Sequence, residues 1–264
     1  MSEFHNVLEQ FDISGRVALL SGGTGWLGTA FSQTLAEAGA SVVISSRDRV
    51  RAQAAADLLP SPGGAKHYGV ELDQIDGDSI AAGFKEAVDA AGQVDILVNN
   101  GLHALGADIY SVTMEEFAEH QRNNAGYFIL ARTLRDHVVE RSAAGAVVNI
   151  GSMYGQVASY PDAYDPGGAS PVAYHALKGG TIHMTRHMAA YWAEDNVRVN
   201  CLSPGPFPSD EAPVKIVDRL SQKLPMKRMG RPHELKGALL LLVSDAGSFM
   251  TGQNVTVDGG WTAW

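Results

Sequence analysis

The segment Val17-Ala-Leu-Leu-Ser-Gly-Gly-Thr-Gly-Trp-Leu-Gly28 decides the fold of this chain. Its first four residues are apolar, as in a strand buried on both faces, and Gly23, Gly25 and Gly28 then follow the spacing G-x-G-x-x-G. Small residues there permit a tight strand-to-helix turn and let backbone N–H groups approach a pyrophosphate. With 29 glycines in the chain the spacing alone is weak, but its position after a strand indicates a dinucleotide site. A tight turn without a ligand is the alternative.

Short apolar runs alternate with helical patterns along the rest of the chain. The predicted strands are Val17–Leu20, Ser41–Ser45, Lys66–Leu72, Ile96–Val98, Ala146–Ile150, Val197–Leu202 and Asn254–Val257. The predicted helices are Leu27–Ala38, Arg49–Leu58, Ser79–Ala91, Met114–Glu140, Val172–Glu194 and His233–Ser244. This alternation predicts one α/β domain over residues 1–264, a Rossmann fold whose doubly wound, seven-stranded parallel sheet has helices on both faces. The stretches 153–171 and 204–224 interrupt the alternation after strands and are predicted to be substrate loops.

Composition and charge exclude several classes of protein. The 264 residues are 45% hydrophobic, which suits one large core, and the net charge of -9 argues against binding nucleic acid or an anionic membrane. No apolar run approaches the roughly 20 residues of a membrane span, and the first residues lack the features of a signal peptide. The single cysteine, Cys201, favours a reducing compartment. We therefore expect a cytoplasmic protein with a small-molecule substrate.

The end of the second predicted strand bears on the choice of nucleotide. An NAD site usually has an acidic residue there for the ribose 2′-hydroxyl, whereas an arginine accommodates a 2′-phosphate. Ser46 and Arg47 place no carboxylate at the strand end, which favours NADP(H), although Asp48 follows directly. A solvated Arg47 without a ligand is the alternative.

Tyr174 and Lys178 are the candidate acid–base pair. Four residues apart in a predicted helix, they lie on the same face one turn apart. The pKa of a phenol is about 10, and an ammonium about 4 Å away would stabilise the phenolate by roughly 4 kcal/mol, enough to lower that pKa by about 3. The spacing is common on helix surfaces, so its meaning depends on the neighbouring motifs.

Those motifs extend from Arg16 to Trp261. After the glycine loop come Asp73, Asn99-Asn100, Asn123 with Gly126, Asn149-Ile-Gly-Ser152, Tyr174-x-x-x-Lys178, Arg198-Val-Asn200, Ser203-Pro204-Gly205, Arg228-Met-Gly-Arg-Pro232 and Asp258-Gly-Gly260. Together and in this order they resemble the short-chain dehydrogenase/reductase family. The resemblance implies an NAD(P)-dependent oxidoreductase that interconverts a secondary alcohol and a ketone by hydride transfer, assembled as a homotetramer or homodimer.

The resemblance also implies roles for individual residues. Tyr174 would exchange the proton, Lys178 would lower its pKa, Ser152 would hydrogen-bond the substrate oxygen and Asn123 would hold a water that passes protons toward Lys178. The implied nucleotide contacts are Gly22, Thr24, Gly25, Trp26, Leu27, Ser46, Arg47, Leu72, Asp73, Asn100, Gly101, Tyr174, Lys178, Pro204, Gly205 and Phe207. The implied substrate contacts are Ser152, Met153, Tyr154, Tyr164 and Tyr174.

Three departures from the family pattern bear on the site. Trp26 stands where the glycine loop usually has a glycine, and Gly101 replaces an alanine after Asn100. The 21 residues between Ser152 and Tyr174 are more than is usual and are expected to loop over the substrate site. This insertion, with its tyrosines and aspartates, resembles the subgroup that acts on sugars, sugar acids and polyols.

Other functions stay open at this point. A 3-oxoacyl-acyl-carrier-protein-type or general ketone reductase is one alternative, although docking an acidic carrier protein needs basic residues that the charge of -9 disfavours. A nucleotide-binding sensor without catalysis is another. His183 and His187 have the spacing of metal ligands, but no acidic or cysteine partner joins them, so we predict no metal site and an outward, interface-facing position.

Overall fold

The computed structural model describes residues 6–165 and 168–263; Pro166 and Gly167 of the predicted insertion, and the terminal Trp264, lie outside them. The strands are β1 (Val17–Ser21), β2 (Ser41–Ser46), β3 (Tyr68–Glu71), β4 (Ile96–Asn99), β5 (Gly145–Ile150), β6 (Val197–Pro204) and β7 (Asn254–Val257). The helices are α1 (Trp26–Glu37), α2 (Arg49–Asp57), α3 (Gly77–Ala91), α4 (Met114–Glu140), α5 (Val172–Trp192), α6 (Val214–Lys223) and α7 (Lys236–Val243).

The seven strands form one parallel sheet in the order β3-β2-β1-β4-β5-β6-β7. The chain order reverses between β1 and β4, which is the switch point where doubly wound sheets bind ligands. β1 and β5 are buried along their whole length, because helices cover both faces of the sheet. The predicted doubly wound fold is confirmed.

The two largest apolar clusters of the described residues lie on opposite faces of the sheet. On one face α1 and α7 pack against the strands through residues such as Phe31, Leu35 and Leu239. On the other face α3, α4 and α5 contribute residues such as Phe84 and Leu130. Each cluster excludes water from its own face, so the two layers hold the carboxyl ends of the strands in place. None of the helices in the described part of the chain has the length and hydropathy of a membrane span.

The prediction that 204–224 is a loop throughout is wrong in its second half, which forms α6. Pro213 precedes the helix with a φ of -59°, an angle that suits a helix start. Val217, Leu220 and Leu224 then recur at helical spacing, and Leu224 is buried. The four prolines upstream obscured this pattern. The last predicted helix also differs, since Pro232–Leu235 forms a 3₁₀ turn before α7 begins.

Candidate active site

A cavity of about 600 Å³ lies at the carboxyl ends of the strands, across the switch point. It extends from the glycine loop to Ser152, Tyr174 and Lys178. All sixteen residues predicted to contact the nucleotide line it, together with Ser21, Gly28, Arg51, Gln74, Leu102, His103, Ile150 and Gly151. The structure thus brings the predicted nucleotide and proton-transfer residues to one continuous surface.

The glycine loop is held against the Asn99-Asn100-Gly101 turn. Ser21 Oγ accepts hydrogen bonds from the backbone N–H groups of Asn100 and Gly101, each at 3.0 Å. Gly22 has a φ of +62°, and a Cβ atom there would lie 2.5 Å from the Cα atom of Gly101. A Cβ on Gly101 would lie 2.1 Å from Gln74 Oε1, so an alanine there would require the Gln74 amide to move.

Trp26 is the first residue of α1, and its side chain points out of the glycine loop toward solvent. Gly25 precedes it as the N-cap residue, and within the described part of the chain its position provides no side-chain cap, so the start of α1 suits an anion. The indole is 44% exposed, and its Nε1–H donates to the backbone oxygen of Phe207 at 3.2 Å. Trp26 therefore joins the glycine loop to the segment after β6, across the cavity. The loop and its open helix terminus fit a pyrophosphate.

The adenosine end of the cavity contains two arginines. Arg47 and Arg51 both line it, and the guanidinium of Arg51 donates to the backbone oxygen of Thr24 at 3.2 Å. Asp48 is the nearby carboxylate that could have favoured NAD over NADP. Its side chain instead caps α2, because its Oδ1 accepts a hydrogen bond from the backbone N–H of Arg51 at 3.1 Å. Arg51 was missed at the sequence level because it has the position of an ordinary helix-surface residue.

Ser152, Tyr174 and Lys178 converge because β5 ends beside the first turns of α5. Lys178 is 3% exposed, and its Nζ donates to the backbone oxygen of Ile150 at 2.7 Å. The ammonium lies 5.7 Å from the ring centroids of both Tyr174 and Tyr127. Burial lowers the pKa of Lys178 from 10.5 to about 8. Ser152 Oγ accepts from the backbone N–H of Tyr154 at 3.1 Å, which fixes its orientation.

The expectation that Lys178 lowers the pKa of Tyr174 stays a prediction, because burial acts on the phenol in the opposite direction. Burial raises the pKa of the Tyr174 hydroxyl, and a hydrogen bond with Ser152 only partly opposes this effect. The Lys178 ammonium bonds to Ile150 O and lies at equal distances from the ring centroids of Tyr174 and Tyr127.

The side chain of Asn123 is saturated with hydrogen bonds. Its Oδ1 accepts from Gln74 Nε2 at 2.9 Å and from His103 N at 2.8 Å. Its Nδ2 donates to His103 O at 3.0 Å and to His120 O at 2.8 Å. These bonds fix the side chain, and the role predicted for Asn123 in holding a water stays a prediction. The amide ties α4 to the segment after β4, and it does not line the cavity.

The insertion between Ser152 and Tyr174 forms an aromatic wall beyond the catalytic end. Met153 is buried with Leu224 and Trp261, whereas Tyr154 and Tyr164 are half-buried with hydroxyl groups 3.5 Å apart. The ring of Tyr154 stacks on His175 at 4.6 Å. None of the three predicted substrate side chains from this insertion lines the cavity itself, because the described part of the insertion packs onto α5 and Trp261.

Two ion pairs attach the insertion to α6. Arg219 donates to Asp165 at 2.8 Å, and Lys223 donates to Asp162 at 2.6 Å. The Lys223 ammonium also lies 4.7 Å from the centroid of the Tyr160 ring. These ion pairs therefore connect the two segments that were predicted to be substrate loops, 153–171 and 204–224. The sequence patterns did not indicate this connection.

His183 and His187 lie on the exposed side of α5, away from the catalytic end. Within residues 6–165 and 168–263, no group of three or more His, Cys, Asp or Glu side chains is placed to hold a metal ion. Cys201 is buried, and burial raises the pKa of its thiol to about 11.

Comparison with known proteins places this geometry in a family. A family model described as Enoyl-(Acyl carrier protein) reductase matches residues 25–262. D-arabinitol 2-dehydrogenase (ribulose-forming) of Scheffersomyces stipitis is 30% identical over 99% of this chain and 99% of that protein. Galactitol 2-dehydrogenase of Rhizobium johnstonii is 32% identical over 97% of this chain and 98% of that protein. The crystal structure of a gluconate 5-dehydrogenase from Burkholderia cenocepacia in complex with NADP and tartrate superposes with a TM-score of 0.86, at 30% identity, over 98% of this chain and 100% of that one.

The chain belongs to the short-chain dehydrogenase/reductase family. It is an oxidoreductase that interconverts a secondary alcohol and a ketone with a nicotinamide nucleotide.

Proposed function

We propose that the substrate is a polyol, a sugar or a sugar acid, oxidised or formed at a secondary hydroxyl group. The observation that carries this proposal is the polar aromatic wall that the insertion places beside Ser152. Tyr154 and Tyr164 have hydroxyl groups and flat ring faces just outside the cavity lining, a combination that suits a polyhydroxylated carbon chain extending beyond Ser152. The relatives named for arabinitol, galactitol and gluconate support the same class.

In the proposed reaction Tyr174 exchanges the hydroxyl proton of the substrate, while Ser152 donates a hydrogen bond to the substrate oxygen and stabilises the charge that develops there. The bound nucleotide supplies the hydride acceptor or donor, and its oxidised ring is cationic. Lys178, fixed by its bond to Ile150 O, supplies a positive charge near the phenol in a site shielded from water. Burial of these groups strengthens each of the electrostatic contacts.

The substrate class is tested by a panel of D-arabinitol, galactitol, D-gluconate, simple secondary alcohols and an acetoacetyl thioester, scored by the absorbance of the reduced nucleotide. Turnover of the polyhydroxylated compounds in preference to the others supports the proposal. Preference for the thioester would overturn it in favour of an acyl-chain reductase. Tyr174→Phe should bind nucleotide normally and lose nearly all turnover, and an unchanged rate in that variant would sink the assigned mechanism.

We propose further that NADP(H) is bound in preference to NAD(H), because Arg47 and Arg51 both line the adenosine end while Asp48 is occupied in capping α2. Charge-assisted hydrogen bonds contribute about 1.5–3 kcal/mol, so Arg47→Ala should weaken NADPH about 10- to 100-fold and leave NADH nearly unchanged. Arg49→Ala is the matched control, since Arg49 pairs with Glu86 and does not line the cavity. Equal dissociation constants for the two nucleotides in the wild type would refute the preference.

A cytoplasmic homotetramer or homodimer is the proposed physiological form. The outer side of α5 supports self-association, because Tyr191 is 71% exposed there and its ring centroid lies 4.6 Å from that of the exposed His187. Light scattering of the purified protein, with Tyr191→Lys as the disrupting variant, tests this assembly. A wild-type mass of one chain would refute it.

A further inference from the structure

Trp26 stands where the family pattern of the glycine loop has a glycine, and its indole contacts the opposite side of the cavity. The indole Nε1–H donates to the backbone oxygen of Phe207 at 3.2 Å, and both residues line the cavity. A glycine has no side chain with which to make this contact. The bond is therefore a property of this chain and not of the general nucleotide-binding motif.

The bond connects two segments that begin far apart in the sheet. Trp26 follows β1 and Phe207 follows β6, and both β4 and β5 lie between these strands. Neighbouring strands are about 4.8 Å apart, so the ends of β1 and β6 are separated by roughly 14 Å. Gly101 after β4 and Gly151 after β5 line the cavity between them. The contact between Trp26 and Phe207 thus extends across the width of the cavity.

The acceptor end of this bond is held in place from outside the cavity. Gly230 N donates to Pro206 O at 3.0 Å. The ring of Phe207 also packs against Gly230, so closely that a Cβ atom on Gly230 would lie 2.4 Å from the ring. Among the hydrogen bonds of residues 205–207 in the described part of the chain, the others run to Gly230 and to β7, and the Trp26 bond is the one that reaches the glycine loop.

We propose that Trp26 retains the bound nucleotide by bridging the glycine loop and the segment after β6. The cavity that fits the nucleotide lies between these two segments, so the bridge has to open before the nucleotide leaves on that side. Because the indole is 44% exposed, the bond can break and re-form without unfolding α1. Trp26 is thus a positioning residue that acts through Phe207 and takes no part in hydride or proton transfer. Its effect falls on nucleotide release, a step that limits turnover in many enzymes.

The first test measures how fast the more tightly bound reduced nucleotide dissociates, by stopped-flow displacement with excess oxidised nucleotide, and needs no substrate. Trp26→Phe keeps an aromatic ring but removes the N–H, so release should be about 2- to 12-fold faster, the range for one uncharged hydrogen bond. Thr29→Val is the matched control, because it removes the 3.0 Å bond from Thr29 Oγ1 to Gly25 O in the same exposed turn without affecting the bridge. Unchanged release from Trp26→Phe, or equal acceleration in both variants, would overturn the proposal.

The second test disturbs the same bridge from outside the cavity. Gly230 lies outside the cavity lining, and the Cβ atom of Gly230→Ala would displace the ring of Phe207. This variant should also release the nucleotide faster. The double variant Trp26→Phe/Gly230→Ala should release it no faster than the more affected single variant, because one bridge is lost in each case. Two accelerations that multiply in the double variant would show that the residues act independently, which contradicts the bridge.

The indole N–H of Trp26 reports on the bridge directly, by NMR of protein with ¹⁵N-labelled tryptophan. Its resonance is identified by its loss in Trp26→Phe. A nucleotide that the bridge retains must in turn favour the bridged state, so hydrogen exchange of this N–H should slow by a similar factor when nucleotide is added. The indole N–H of Trp192, on α5, is the internal control. Slowing that is equally large in Gly230→Ala would show that the nucleotide merely shields the indole, and it would overturn the proposal.

Discussion

Replacing Lys178 with methionine should make the nucleotide-free protein more stable while it abolishes turnover. The side chain is 3% exposed, and burial lowers its pKa from 10.5 to about 8. At about 1.36 kcal/mol per pKa unit, keeping the ammonium buried at pH 7 costs about 3 kcal/mol. Methionine removes that cost but leaves Ile150 O without its donor, a loss of about 1 kcal/mol. The expected net gain at pH 7 is about 2 kcal/mol in the free energy of unfolding.

The pH dependence of this difference identifies its cause. Below pH 8 the lysine is charged in both the folded and the unfolded protein, so the cost is fully present. Between pH 8 and 10.5 the folded protein loses the proton first, so the wild type gains stability relative to the variant as pH rises. The advantage of Lys178→Met should therefore shrink across this window and reverse at its upper end.

Urea titrations followed by tryptophan fluorescence, at equal protein concentration and at several pH values from 7 to about 10, measure the effect. Lys66→Met is the matched control, because Lys66 is exposed and its replacement should change stability by less than about 0.5 kcal/mol. The reasoning is refuted if Lys178→Met is less stable than the wild type at pH 7 by an amount that does not vary with pH.

Three further predictions concern two glycines and one exposed ion pair. Gly126→Ala should destabilise the protein by about 1–3 kcal/mol, since a Cβ atom there would lie 1.7 Å from Gln74 O. Gly237→Ala, in an exposed turn of α7 where a Cβ atom meets nothing within 4 Å, should instead stabilise it by about 0.5–1 kcal/mol; melting temperatures that move in the same direction for both would contradict this. Arg219→Ala removes the bond to Asp165 and should accelerate hydrogen exchange of the backbone amides at 160–165, while global stability changes by less than about 1 kcal/mol because the pair is exposed. Unchanged exchange in that segment would show that the ion pair does not hold the insertion.

The structural features that depend on residues close together in the sequence were predicted correctly. The strands of the sheet are short apolar runs because both faces are covered, and that property is visible in a few consecutive residues. The one missed helix, α6, has the apolar positions Val217, Leu220 and Leu224, but its preceding prolines are typical of a loop. That these residues line one cavity was also predictable, since their motifs occupy strand ends, and strand ends meet at one edge of a parallel sheet.

Features that depend on distant residues could not be predicted in the same way. The contact between Gly101 and Gln74 depends on a separate loop, which brings Gln74 Oε1 to within 2.1 Å of the position that a Cβ atom on Gly101 would take. Arg51 has the sequence context of a helix surface and reaches the cavity only because α2 begins beside the glycine loop.

The sequence by itself determined the family, the doubly wound sheet and the identity of the residues that meet at the strand ends, because motif order and apolar periodicity are local properties of the chain. Only the tertiary structure decided the pKa values of those residues and the hydrogen-bond partners of their side chains. Burial, which is a property of the packed whole, raises the pKa of Tyr174, lowers that of Lys178 and saturates Asn123 with partners from other segments.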